Sequence, residues 1–251
     1  MVAKLKAAGA SEVIQAGASW QFADNHLREV VLKNLEADGQ VKGVYVPPFD
    51  DPLIWDGNST IIEEIRDQLP HAGLSAIAEE SAKPDAIVCS VGGGGLFAGI
   101  CQGLDRMGWA DVPVLAMETK GADSLAHALQ ARQHVALDGI TSLASSLGAV
   151  RVAYRAFQDG QRANVKSVVL SDAQACMGAW RLADDERILV EPACGVNVAP
   201  CYTGDLKKAL PGLDEKGRVV VVLCGGNGVS LDLLKEWRDK FGPEVEGIKE
   251  V

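Results

Sequence analysis

Residues Ser90 to Ile100 read SVGGGGLFAGI, four consecutive glycines between an apolar strand-like run and an apolar helix-like run. Glycine loses more backbone freedom on folding than any other residue, so such a run marks a need for positive φ or for unusually close approach to the backbone. Between a strand and a helix it presents several backbone N–H groups at the positive end of a helix dipole, which suits a phosphate. The alternative is a merely tight β-α turn, for which one or two glycines would serve.

Two known phosphate loops can be tested against the run. A Walker A loop needs G-x-x-x-x-G-K-[ST]; Gly94 and Gly99 have the spacing, but Ile100 and Cys101 occupy the Lys and Ser/Thr positions, which excludes it. The dinucleotide pattern G-x-G-x-x-G/A is met by Gly93, Gly95 and Ala98, with Glu118 at the end of the next strand to grip a ribose. That match is loose, and a Rossmann sheet carries its glycine loop after the first strand, whereas here at least two strand candidates come earlier. A second glycine turn, VVVVLCGGNG (Val219 to Gly228), also ends an apolar strand, and in an open parallel sheet such ends face one crevice. One turn suited to a phosphate and one offering a thiol point to a compact phosphorylated cofactor.

Short apolar runs alternate with helical patterns, the signature of an α/β chain with a mostly parallel sheet. The strand candidates are Glu12 to Gln15, Gly43 to Val46, Ala86 to Ser90, Val114 to Thr119, Val165 to Leu170 and Val219 to Cys224. Helices are expected from Ser19 to about Ala37, from a cap at Asn58 or Ser59 to Leu69, from Ser171 through Asp184, and over LDLLKEWRDKF after Ser230. Pro70 to Asp85 is expected to be a surface connection.

The net charge of −10 and the lack of any dense Lys/Arg block argue against nucleic acid or an anionic membrane surface, leaving a small molecule as the partner. No apolar run of signal-peptide or membrane-spanning type occurs, so a cytoplasmic address is expected. Cys89, Cys101, Cys176, Cys194 and Cys201 are expected to be ordinary buried thiols, and the four histidines lack zinc-binding spacing.

The chain resembles the pyridoxal-phosphate-dependent β-eliminases of the tryptophan-synthase-β fold, most closely the L-serine dehydratases. The carrying stretches are PPFDDPLIWDGNSTI, SVGGGGLFAGI, DVPVLAMET, ITSLASSLGA, ILVEPACG and VVLCGGNG, in the family's order over most of the chain. The resemblance implies a three-layer parallel-sheet fold, with 1–50 a remnant of the small domain and crossover and 51–251 the large cofactor domain. It implies β-elimination of L-serine, and also of L-threonine, to a 2-oxoacid and ammonia, by a homodimer in the complete enzyme. The alternatives are another enzyme of this fold, such as a threonine or cysteine synthase, or a non-catalytic truncated relative.

By the same resemblance, Gly92, Gly93, Gly94, Gly95 and the N–H of Leu96 cradle the phosphate of pyridoxal phosphate, and Cys224 stands beside the pyridine nitrogen. Glu118 is placed near a monovalent cation such as potassium, with carbonyls from Gly92, Ala122, Leu147 and Ala149. The chain departs from the family in three respects. It has no Ser-x-Lys-Arg-Gly sequence for the Schiff-base lysine, so no catalytic residue is assigned, and no Ser-x-Gly-Asn loop for the substrate carboxylate. Ser81 and Lys83 have nominal spacing, but Pro84 follows and a strand comes next, so the match is read as chance. The chain also opens in mid-element. One cause explains both absences and that start, namely that the N-terminal part of the family's length is missing. Ser146 is a smaller departure, standing where relatives carry a small apolar residue against the cofactor ring.

Overall fold

The computed structural model describes residues 2–17, 19–38, 43–71 and 82–245. The chain divides into two compact units, Met1–Val46 and Pro47–Val251. The first contains α1 (Val2–Ala7), α2 (Trp20–His26), a π-helical turn (Leu27–Val31) and α3 (Leu32–Asp38). The helical run after Ser19 is as the sequence predicts, although the Ser19 side chain makes no capping bond. The two early strands are not formed: Glu12 to Gln15 and Gly43 to Val46 are extended chain with no ladder partner among the described residues. Apolar alternation marks a face to bury but does not supply the neighbour whose N–H and C=O groups complete a strand. Val44 and Val46 stay 78% and 75% exposed. This stretch is tied to α2 instead, because the Tyr45 hydroxyl donates to Asp24 at 2.6 Å and accepts from Arg28 at 2.7 Å.

In the second unit, α4 (Pro52–Gln68) precedes β1 (Ala86–Ser90), α5 (Gly95–Arg106), β2 (Val114–Thr119) and α6 (Ser124–Ala131). There follow α7 (Tyr154–Asp159), β3 (Val165–Leu170), α8 (Asp172–Glu186), α9 (Pro192–Thr203), α10 (Asp205–Ala209), β4 (Val219–Val221) and α11 (Leu231–Phe241). The strands form one parallel sheet in the order β3-β2-β1-β4. Successive strand residues point to opposite faces. Ile87, Cys89, Val114 and Ala116 pack with Phe97, Ile100 and Phe157 on one side, while Val88, Leu115 and Met117 pack with Ala175, Ala193 and Val196 on the other. With both faces covered, the central strands β1 and β2 carry near-continuous apolar sequence.

Two helix expectations change. α4 starts at Pro52 with Asp51 as its cap, whose carboxylate accepts from the Leu53 N–H at 2.8 Å, so Asn58 and Ser59 lie inside it. They are there because α4 lies directly on α5, where a methyl on Gly103 would stand 2.7 Å from the Ser59 carbonyl oxygen. The last strand ends at Val221, three residues before Cys224, where the chain leaves the ladder for the glycine turn. Ser171 caps α8 in a capping box completed by Gln174, and Ser230 caps α11, both as predicted. Most of the Pro70 to Asp85 connection lies outside the described residues. Among the described residues, no helix is long and apolar enough to cross a membrane.

Candidate functional site

At the C-terminal ends of β1 and β4 the second unit holds a cavity of about 380 Å³, bordered by Gly92 to Leu96, Phe49, Ser146, Glu191 and Cys224 among others. After β1, Val91 still donates to the Met117 carbonyl at 2.8 Å. The chain then turns through the glycines into α5. Gly94 immediately precedes that helix with φ 91°, the left-handed region that favours glycine. Gly92 backs onto the 145–147 turn, where an added methyl would be 3.0 Å from Leu147 Cα. Gly93 and Gly95 lie under Phe49 of the PPFDDP stretch: a methyl on Gly93 would overlap its ring, and one on Gly95 would be 2.9 Å from its carbonyl oxygen. Close packing demands the glycines, and Gly95 and Leu96, whose N–H groups in the first turn of α5 lack acceptors within their own helix, border the cavity.

Cys224 is exposed on the turn that follows β4 and borders the same cavity. Partial burial, then the neighbouring Cys194 and then the charge of Glu191 push its thiol up from the ordinary range, which keeps it protonated near neutrality. Of the five other cysteines, Cys89, Cys101, Cys176 and Cys194 are buried as expected, whereas Cys201 is exposed. It lies near the end of α9, where the helix leaves the core. Glu191 has no role in the sequence reading beyond its place in ILVEPACG. It immediately precedes α9, and its carboxylate accepts from the Gly228 N–H at 2.9 Å across the glycine turn.

Of the residues grouped by resemblance around a cation, Gly92 and Leu147 are in close apposition, and Ala122 and Leu147 share one buried cluster. The Leu147 carbonyl accepts from the Ala149 N–H at 2.7 Å. Glu118 is fully buried, and its two oxygens accept from the N–H groups of Leu125 and Ala126 at the start of α6, each at 2.8 Å. Burial raises its carboxyl to about 8, against the lowering effect of those two donors. The loop carrying Ser146 and Leu147 is stitched to the strand ends: Thr119 and Ser142 share a hydroxyl bond of 2.8 Å, and Asp172 accepts from Ser142 at 2.5 Å and from the Leu143 N–H at 2.9 Å. Lys83 is held by both oxygens of Asp111 at 2.7 Å and does not border the cavity; Ser81 lies outside the described residues. Among the described residues that border the cavity, none is a lysine.

Residues 1–225 match the family described as pyridoxal-phosphate dependent enzyme. The chain belongs to that family. It is 40% identical over 249 residues to the serine dehydratase-like protein of Mus musculus, covering 96% of this chain and 69% of that protein. It is 42% identical over 208 residues to the L-serine dehydratase/L-threonine deaminase of Homo sapiens, covering 79% of this chain and 58% of that protein. The crystal structure of a fungal L-serine ammonia-lyase from Rhizomucor miehei superposes with a TM-score of 0.82 at 33% identity, over 96% of this chain and 70% of that one. The cavity fits the family's cofactor. Its volume is in the range of small-molecule sites, a side-chain-free stretch of backbone ends at a helix N-terminus suited to phosphate, and a neutral thiol borders the same space.

Proposed function

We propose that this chain forms the cofactor-binding body of a pyridoxal-phosphate-dependent L-serine dehydratase that also takes L-threonine, releasing ammonia and a 2-oxoacid. The observation that carries this reading is one cavity bordered by both the Gly92 to Leu96 backbone and Cys224. When bound, the cofactor supplies an electron sink for the charge that develops at the substrate α-carbon. The chain's own residues have three tasks. Backbone N–H groups of Gly92 to Leu96 hold the phosphate, and the left-handed Gly94 leaves them uncovered. Cys224, as a neutral thiol, donates to the pyridine nitrogen without forcing a full positive charge on it, which moderates the sink and favours loss of the β-hydroxyl over other outcomes. Phe49 and the Ser146 to Leu147 segment wall the cavity against water.

Several finer assignments belong to the same reading. Residues 51–251 act as the cofactor domain and 1–50 as a remnant of the small domain and the crossover, the latter including Phe49. Gly92, Glu118, Ala122, Leu147 and Ala149 supply ligands to potassium. The working enzyme is a cytoplasmic homodimer. The sequence holds no Ser-x-Lys-Arg-Gly stretch, and on this reading the chain supplies the phosphate and pyridine contacts and no catalytic lysine.

The test is to titrate the purified chain with pyridoxal phosphate and with pyridoxal, reduce each mixture with borohydride, and assay 2-oxoacid release from serine and threonine. Reversible binding that weakens about tenfold or more without the phosphate is expected, with no adduct confined to one lysine. Tighter binding of a dinucleotide than of pyridoxal phosphate would overturn the cofactor assignment. A single-lysine adduct with 2-oxoacid formation would show that the catalytic lysine is in this chain.

A further inference from the structure

Glu191 stands at the N-cap position of α9, where a short Ser, Thr, Asp or Asn side chain would turn back onto the helix. Its side chain makes no capping bond to α9. It extends across the glycine turn after Cys224, where Oε2 accepts from the Gly228 N–H at 2.9 Å, while the Glu191 backbone N–H donates to the Gly225 carbonyl at 3.0 Å. The crossing is possible only because Gly226 has no side chain: a methyl there would overlap the Glu191 carboxyl group. Gly225 and Gly226 have φ of 81° and 111°, so neither holds this shape as an ordinary residue would. Glu191 thus supplies an attachment on either side of Gly226, and the Cys194 thiol adds contacts with the backbone of Cys224 and Gly225. Among the described residues that border the cavity, it is the only carboxylate.

We propose that Glu191 is the positioning residue for Cys224: by clamping the Gly225 to Gly228 turn it fixes where the thiol is presented to the cofactor's pyridine ring. The pyridine half of this inference rests on the cofactor reading; the clamp itself does not. The clamp also has an electrostatic side. The groups facing the Cys224 thiol are Glu191 before α9, Cys194 on α9 and the wholly buried Cys89 on β1. Only Glu191 among them is a carboxylate. A carboxylate beside a thiol disfavours the thiolate, so Glu191 adds to burial in keeping Cys224 an S–H donor.

The experiment compares the full chain with E191Q, E191A and G226A by two readouts. The first is the pH profile of Cys224 alkylation by iodoacetamide, followed on the Cys224 peptide by mass spectrometry without cofactor. The second is affinity for pyridoxal phosphate. E191Q keeps an acceptor for Gly228 but loses the charge. Its alkylation midpoint should fall by about 0.5 to 1 pH unit, with cofactor affinity held within about threefold. E191A and G226A lose the clamp and should bind pyridoxal phosphate about tenfold or more weakly. Wild-type affinity in E191A would overturn the clamp, and with it the proposal; an unshifted midpoint in E191Q would overturn its electrostatic part. Should E191A fail to fold by circular dichroism, the G226A affinity decides the clamp, a wild-type value counting against it, while the E191Q midpoint decides the electrostatic part alone. If the unaltered chain does not bind pyridoxal phosphate, the cofactor assignment fails, while the alkylation profiles still test what Glu191 does to Cys224.

Discussion

Glu118 accepts the backbone N–H of Leu125 at 2.8 Å from a position wholly inside the protein, so an acidic side chain at the end of β2 holds the start of α6. The same carboxylate takes the Ala126 N–H through its other oxygen. Two donors and a helix N-terminus favour the ionised form, yet burial outweighs them and raises the carboxyl to about 8.

A pH signature follows from that balance. In the unfolded chain Glu118 ionises near its ordinary value of 4.5, while in the folded protein it stays protonated until about 8. Between those values the native state binds the extra proton, so this group's contribution to stability falls as pH rises through that window and is level above it. The loss should be on the order of a few kcal/mol. A cation lodged beside the carboxylate would stabilise its charge and flatten the slope. Thermal melts across the window, with potassium or with tetramethylammonium, should therefore diverge toward alkaline pH. E118Q should lose most of the divergence. Identical melts in the two salts would remove the cation site, and an unchanged pH slope in E118Q would remove the titration.

Phe49 and Gly93 should couple strongly. A methyl on Gly93 meets the Phe49 ring, so G93A should destabilise the protein by about 1–3 kcal/mol through overpacking. In an F49A background the methyl enters the space the ring has left, and most of the G93A cost should disappear. Denaturant unfolding of the four proteins closes the cycle. Additive costs would mean that Gly93 is required for its backbone alone.

The sheet was legible because its central strands are buried on both faces and their apolar runs are bounded by turn residues. The glycine run stands out in the sequence because four consecutive glycines need a backbone reason, Cys224 gains its role only through the resemblance, and the structure brings both to one cavity. Glu12 to Gln15 and Gly43 to Val46 were misread because the pattern of a strand carries no information about whether a partner is present. Glu191 was missed for a related reason. Its attachment to Gly228 spans 37 positions, and a Glu before a helix-opening proline gives no local sign of it. Only the chain reversal through Gly225 and Gly226 turns it toward the cavity.

Ser142 joins three elements, so its removal should cost more than one exposed hydrogen bond. Its hydroxyl meets the buried Thr119 hydroxyl, donates to Asp172, and accepts from the Ala144 N–H at 3.0 Å. S142A leaves Thr119 without that partner, for a loss of about 1–3 kcal/mol. D172N retains an acceptor oxygen and should lose less. Because the loop carries Ser146 and Leu147 to the cavity, S142A should also weaken binding of pyridoxal phosphate. Equal stability and affinity in S142A and the unaltered chain would show that the loop is held by its packing alone.

Cys224 separates a neutral from a charged partner for the pyridine nitrogen. C224S keeps a small donor and should bind pyridoxal phosphate within about threefold of the unaltered chain. C224D places a second carboxylate near Glu191, in a partly buried turn, and two like charges there cannot both ionise without cost. Without cofactor, C224D should therefore lose stability as pH rises through the range where the pair ionises, because the unfolded chain releases that proton at a lower pH than the native state. With cofactor the added carboxylate gains a partner in the protonated pyridine nitrogen, so pyridoxal phosphate should stabilise C224D more at alkaline than at acidic pH. The measurement is the ligand-induced shift in melting temperature for both variants across that range. Equal shifts in C224S and C224D at every pH would place the pyridine nitrogen elsewhere and leave Cys224 as an ordinary thiol of the cavity wall.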